Sequence, residues 1–195
     1  MGDAQHILVV VINAQGSKSV SGLYDSLRQE TGLYLFDPSL AEDDINFVYQ
    51  GQVYCADLFP ADSMRPCGAL FELLVNRADH LNLIFTYDAS SKASWDEIVA
   101  SYEAVRRGCE NNAIPFTTML LAMGEGLVSR GEAFASQRGC RFAQYSPTNG
   151  RGLCGALASL VEDAYDAQAI SPRDPASFRS AANSVAKAVS GLFHE

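Results

Sequence analysis

The pair Lys18-Ser19 is the place in this chain where residue type and setting best suit phosphate chemistry. It closes the stretch Ile7–Ser19, ILVVVINAQGSKS, which opens as an unbroken apolar run rich in β-branched residues. The run breaks through Asn13, Gln15 and Gly16 and leads into Val20–Glu30, where Val20, Leu23, Tyr24 and Leu27 fall at helical spacing. A strand, a polar loop and a helix that begins at Lys-Ser is the layout of a phosphate-binding loop. In the pattern GxxxxGK[ST] the glycines fall at Ile12 and Ser17, so both are missing. A side chain held in a backbone conformation that glycine normally supplies costs about 1–3 kcal/mol. Gly16 stands one place before the second glycine position and offsets part of that loss.

Other reactive side chains form no constellation. His6, His80 and His194 lie far apart with no triad or metal spacing, so no catalytic residue is assigned. The five cysteines, Cys55, Cys67, Cys109, Cys140 and Cys154, are odd in number and contain no CxxC. They read as reduced thiols of a cytoplasmic protein. Net charge is -9, which argues against a nucleic-acid partner and against docking on an anionic membrane. No apolar run is long enough to span a bilayer, and no signal peptide precedes the first strand. His6 stands where N-myristoylation needs a hydroxyl, and no cysteine follows Cys154, so no lipid anchor is expected.

The elements that must position Lys18-Ser19 follow from periodicity. Strands are expected at Ile7–Ile12, Leu81–Tyr87, Phe116–Leu121 and Arg141–Tyr145. A hairpin pairs Ile45–Tyr49 with Val53–Ala56 across Gln50-Gly51, and Asp57–Pro66 reads as a loop. Helices are expected at Cys67–Asn76, at Ser94–Cys109 with a cap at Ser94 and Glu97, at Gly131–Arg138 and at Gly152–Ala167. Alternating strands and helices imply an α/β three-layer sandwich: a mostly parallel six-stranded sheet with one antiparallel edge strand. Ligands of such sheets bind at the carboxyl ends of the strands. Residues 1–167 form this domain; 168–195 form a linker, Gln168–Pro175, and an amphipathic C-terminal helix, Ala176–Phe193.

Several strings, in order, resemble the Ras-like small GTPases from Ile7 to Ala167. FDPSLAEDD at Phe36–Asp44 is similar to the first switch loop. LIFTYDASSKASWDEI at Leu83–Ile98 is similar to the strand ending in YD and the helix after it. IPFTTMLLAMGEGL lies where the guanine-reading strand and loop fall, and RGEAFASQRGCRFAQYSPTNG resembles the last strand and its SAK loop. The resemblance implies a Ras-like P-loop G-domain whose five loops do the chemistry. Asn13, Ala14, Gln15, Gly16, Ser17, Lys18 and Ser19 would surround the phosphates. Ser19, Ser39 and Asp57 would hold Mg²⁺, and Met123, Glu125, Gly126, Ser146 and Pro147 would face the base. Phe36, Asp37, Pro38, Ser39, Pro60 and Ala61 are the switch and effector positions.

The departures from that family are as informative as the matches. Pro60 replaces the glycine whose N–H senses a third phosphate, and Ala61 stands where glutamine orients water. NKxD becomes Met123-Gly124-Glu125-Gly126, so glycine replaces the carboxylate that reads guanine. Pro147 removes an N–H offered to the base. The expectation is a pseudo-GTPase acting as a regulatory or interaction module, with a protein partner at the switch-like loops or the C-terminal helix. Two alternatives stay open. One is a divergent switch that binds Mg²⁺ with GTP, GDP or another nucleotide and cycles slowly. The other is a structural subunit of a complex.

Overall fold

The computed structural model describes residues 5–14, 44–50, 52–62, 80–145 and 153–169. The expected helices at Val20–Glu30, Cys67–Asn76 and Ala176–Phe193 lie outside them. Six strands and three helices are described: β1 (Gln5–Asn13), β2 (Asp44–Tyr49), β3 (Gln52–Asp62), β4 (Leu81–Asp88), α1 (Lys92–Asn111), β5 (Phe116–Met123), α2 (Val128–Arg138), β6 (Arg141–Tyr145) and α3 (Leu153–Ala169). The strand order is β2-β3-β1-β4-β5-β6. Four of the five pairings are parallel and only β2 runs against its neighbour. The α/β class and the mostly parallel sheet are as expected.

Alternation along the central strands explains how the sheet is covered on both faces. Ile7, Val9 and Val11 point one way, with Ile84, Met119 and Leu121, and pack against Leu157, Leu160, Val161 and Ala164 of α3. Val10 and Ile12 point the other way, with Leu83, Phe85 and Leu120, and meet Trp95, Ile98, Tyr102 and Val105 of α1. Strands buried on both faces read as continuous apolar runs, which is why Ile7–Ile12 was legible without any alternation of polarity.

Several boundaries differ from the sequence reading. The segment from Asp57 onward does not leave the sheet: β3 continues to Asp62, in register with β1 up to Asn13↔Asp62. Asp57, Pro60 and Ala61 are therefore strand residues. Among the described residues β2 flanks β3 only as far as Asp57, so Pro60 lies where β3 has a described neighbour, β1, on one side alone, the kind of strand position in which proline is found. The hairpin turn is as expected; Gln50 adopts φ +50°. β1, β4 and β5 each run one or two residues further at their carboxyl ends than periodicity indicated.

α1 begins at Lys92 with Ser91 as its cap, not at Ser94. Ser91 Oγ accepts from the Ser94 N–H at 3.2 Å, and Ser94 Oγ accepts from the Asp88 N–H at 2.9 Å. The Ser94 hydroxyl is thus committed to the preceding strand end, which leaves the cap to Ser91. α2 starts at Val128, three residues before Gly131. α3 runs on through Gln168 and Ala169, which the sequence reading placed in the linker. No helix among the described residues is long and apolar enough to cross a membrane. Cys109, Cys140 and Cys154 are thiols and not disulfide-bonded.

Candidate functional site

In this strand order β1 is the point of reversal: the chain continues to β3 on one side and to β4 on the other. The crevice beyond the carboxyl end of such a strand is where open α/β sheets bind ligands. Asn13 and Ala14 leave the sheet there. Asn13 Oδ1 accepts from the Thr86 hydroxyl at 2.6 Å. The Ala14 N–H donates to the Thr86 carbonyl at 3.0 Å, and Ala14 is buried. Both residues are tied to β4, so the Ala14 N–H is not directed at a phosphate. Ile12, at the first missing glycine position, is an ordinary strand residue. It pairs with Phe85 and Ala61 and is buried in the core. Its φ is not positive, so isoleucine brings no strain here, contrary to the cost expected from the motif. Gln15, Gly16, Ser17, Lys18 and Ser19 lie outside the described residues.

The carboxyl end of β4 is closed on itself. Asp88 Oδ1 accepts from both the N–H and the hydroxyl of Ser90, at 2.9 and 2.7 Å. The Ser91 N–H returns to the Asp88 carbonyl. This end is stitched to the loop after β5. The Ala89 N–H donates to the Met123 carbonyl at 3.0 Å, and the Leu127 N–H donates to the Ala89 carbonyl at 2.7 Å. Below it, Tyr87 is fully buried, packs edge-on against Trp95 and donates its hydroxyl to the Leu127 carbonyl at 3.1 Å. Burial, reinforced by the Glu132 carboxylate, pushes the Tyr87 phenol up to about 12.

The loop that matches the base-reading segment is Gly124-Glu125-Gly126. The Gly124 N–H donates to the Tyr145 carbonyl at 2.8 Å, and its own carbonyl accepts from Gln144 Nε2 at 2.8 Å. Gly126 adopts φ +128°, and a Cβ built on it would stand 2.6 Å from the Ala89 carbonyl oxygen. Only glycine fits that combination. Where the family places a carboxylate, this backbone has no room for any side chain. Glu125 is exposed and Met123 is buried in the core against α3. The chain's own residues here do not fit a guanine base held in the family's manner.

The structure thus brings Asn13, Ala14, Met123, Glu125 and Gly126 to one end of the sheet. Asp57 is not with them. It pairs with Leu8 and Asp44, five residues short of the strand end, and the residue in register with Asn13 is Asp62. Pro60 and Ala61 are closer to that end, opposite Val11 and Ile12. Phe36, Asp37, Pro38, Ser39, Ser146 and Pro147 lie outside the described residues. Thr86, Ser90 and Gln144 were missed by sequence reasoning. A threonine inside the apolar strand LNLIFTYD was the available sign for Thr86. No known protein-family model matches the chain, and no curated protein matches it either.

Proposed function

We propose that the chain is a Ras-like pseudo-GTPase: a regulatory or protein-interaction module in which nucleotide binding is absent or weakened and GTP hydrolysis is slight or lost. Gly126 carries this reading. Its left-handed backbone is pressed onto the Ala89 carbonyl, so the base-side loop is rebuilt around the lost carboxylate instead of merely lacking it. A single antiparallel edge strand beside parallel ones supports the Ras-like architecture. A protein partner at the switch-like loops or the C-terminal helix is the binding chemistry that remains once selective nucleotide recognition is gone.

One observation favours a second reading, a slow switch that still holds a nucleotide. The chain leaves β1 at Ala14, four residues before Lys18 in sequence, at the sheet's point of strand reversal, the position suited to a phosphate. Denaturing the purified protein and assaying released nucleotide separates the two, followed by thermal unfolding with GTP, GDP or ATP and Mg²⁺. A ligand of the native state raises the melting temperature. No released nucleotide and no shift are expected. A clear rise with GTP and Mg²⁺, smaller with GDP, would overturn the pseudo-GTPase reading.

A further inference from the structure

We propose that the corner of the sheet where β2, β3 and β1 lie side by side is a site for a divalent transition-metal ion of the zinc class, assembled from His6, Cys55, Asp57 and Asp44. These residues are far apart in sequence, and strand register brings them together. Cys55 and Asp57 stand two residues apart in β3. His6 of β1 is the register partner of Cys55, and Asp44 of β2 is the register partner of Asp57. Asn46 of β2 is the other partner of Cys55, and Leu8 of β1 is the other partner of Asp57.

Register partners share a face of the sheet, and so do residues two apart in a strand. Tyr54, Ala56 and Leu58 of β3, with Ile7, Val9 and Val11 of β1, belong to the core under α3. His6, Cys55 and Asp57 alternate with them, so these residues and their β2 partners belong to the opposite face. Neighbouring strands are about 4.8 Å apart, and residues two apart in a strand are about 6.7 Å apart. An imidazole, a thiol and two carboxylates thus occupy adjoining positions of one patch. Bonds of about 2.0–2.3 Å to a common ion are compatible with backbone spacings of that size.

Two features of the patch point to a cation. Asp57 is inside a strand that has a neighbour on each side at that position, where aspartate is depleted. Its cross-strand partner is a second aspartate, and like charges directly opposite one another are destabilising. A bound cation turns that repulsion into attraction. Cys55 and His6 then select the ion, because thiolate and imidazole suit zinc and its neighbours, whereas Mg²⁺ and Ca²⁺ take oxygen ligands. This donor set differs from the Mg²⁺ ligands that the resemblance implies: it shares only Asp57 with them and needs neither Ser19 nor Ser39. Elsewhere among the described residues no group of side chains could hold a metal ion.

The test is titration of the reduced, chelator-treated full chain with Zn²⁺ by calorimetry and with Co²⁺ by absorbance. A single ion is expected to bind, with release of protons and a thiolate-to-cobalt charge-transfer band. Cys55→Ser should remove the band, whereas Cys67→Ser and Cys140→Ser should keep it. His6→Gln should weaken Zn²⁺ binding by at least about tenfold, the effect that even residues supporting a metal ligand have. Asp44→Asn gives a readout that a folding defect does not imitate. It should raise the melting temperature of the metal-free protein, by removing the like-charge pair, and at the same time reduce the further rise that Zn²⁺ produces. The proposal fails if neither ion binds, if Co²⁺ binds without the band, or if Cys55→Ser leaves Zn²⁺ binding unchanged. Tighter binding of Mg²⁺ or Ca²⁺ than of Zn²⁺ also overturns it.

Discussion

At the scale of single residues, the glycines of the β5–α2 loop separate two kinds of constraint. Gly124 has φ +91° but open space around a built Cβ, whereas Gly126 has φ +128° and a carbonyl oxygen at 2.6 Å. Gly124→Ala should therefore cost only the conformational strain, about 1 kcal/mol. Gly126→Ala should cost clearly more, about 2–4 kcal/mol, because the β4 loop must also move. Urea unfolding of the two variants gives the order directly. Gly126→Asp places a carboxylate where Ras-like GTPases, which the sequence resembles, have one, yet it should produce an unstable protein with no gain in GTP binding. A folded Gly126→Asp protein that acquires GTP binding would show that the base site is merely missing a side chain. The letter G at position 126 was visible in the sequence. What it is for was not, because neither φ nor the approach of Ala89, thirty-seven residues earlier, leaves a trace in local pattern.

At the scale of elements, the helices were legible as stripes of apolar residues, but their ends were decided by contacts made elsewhere. Three serines stand near the start of α1, and periodicity cannot choose between Ser91 and Ser94. The Asp88 N–H chooses, by taking the Ser94 hydroxyl. Ser91→Ala should cost about 1 kcal/mol as a lost cap. Ser94→Ala should cost about 1–3 kcal/mol, since it leaves the Asp88 N–H without its acceptor. The extension of β3 through Pro60 has the same origin: the two prolines of Asp57–Pro66 suggested a loop, and pairing with β1 overrode them as far as Asp62. Gly131 shows how tightly α2 is seated. A Cβ there would meet the Tyr87 hydroxyl and lie 2.6 Å from Phe142 Cε2. Alanine is the better helix former by about 1 kcal/mol, yet Gly131→Ala should lower stability, because overpacking costs about 1–3 kcal/mol. Tyr87→Phe removes the nearest atom, so the double variant should be more stable than the two single losses predict. A thermodynamic cycle measures that coupling.

At the scale of the whole molecule, stability should depend on pH through groups that the sheet buries on folding. His80 is half-buried at the start of β4, with Nε2 2.7 Å from Thr117 Oγ1. Burial lowers its pKa below the ordinary 6.5. As pH falls, the unfolded chain takes up its proton first, so between the folded value and 6.5 the unfolded state binds more protons. Stability is then full above 6.5 and declines as pH falls towards the folded value. Carboxylates titrate further down and add their own slope, so the comparison must be with His80→Gln, which keeps a hydrogen-bonding group beside Thr117 but cannot titrate. Urea midpoints at about pH 8 and about pH 5 should fall further for the natural protein than for the variant. Equal falls would mean that His80 titrates as it does in the unfolded chain. The alkaline side has the opposite sign. Tyr87 is held protonated up to about 12 against an ordinary 10.0, so the unfolded chain loses its proton first and stability falls as pH rises from 10 through 12. Burial raises Tyr102, Cys109 and Cys140 as well and adds loss of the same sign. Tyr87→Phe should therefore reduce the alkaline fall without abolishing it, and tyrosinate absorbance should show fewer phenols ionising late in the variant than in the natural protein.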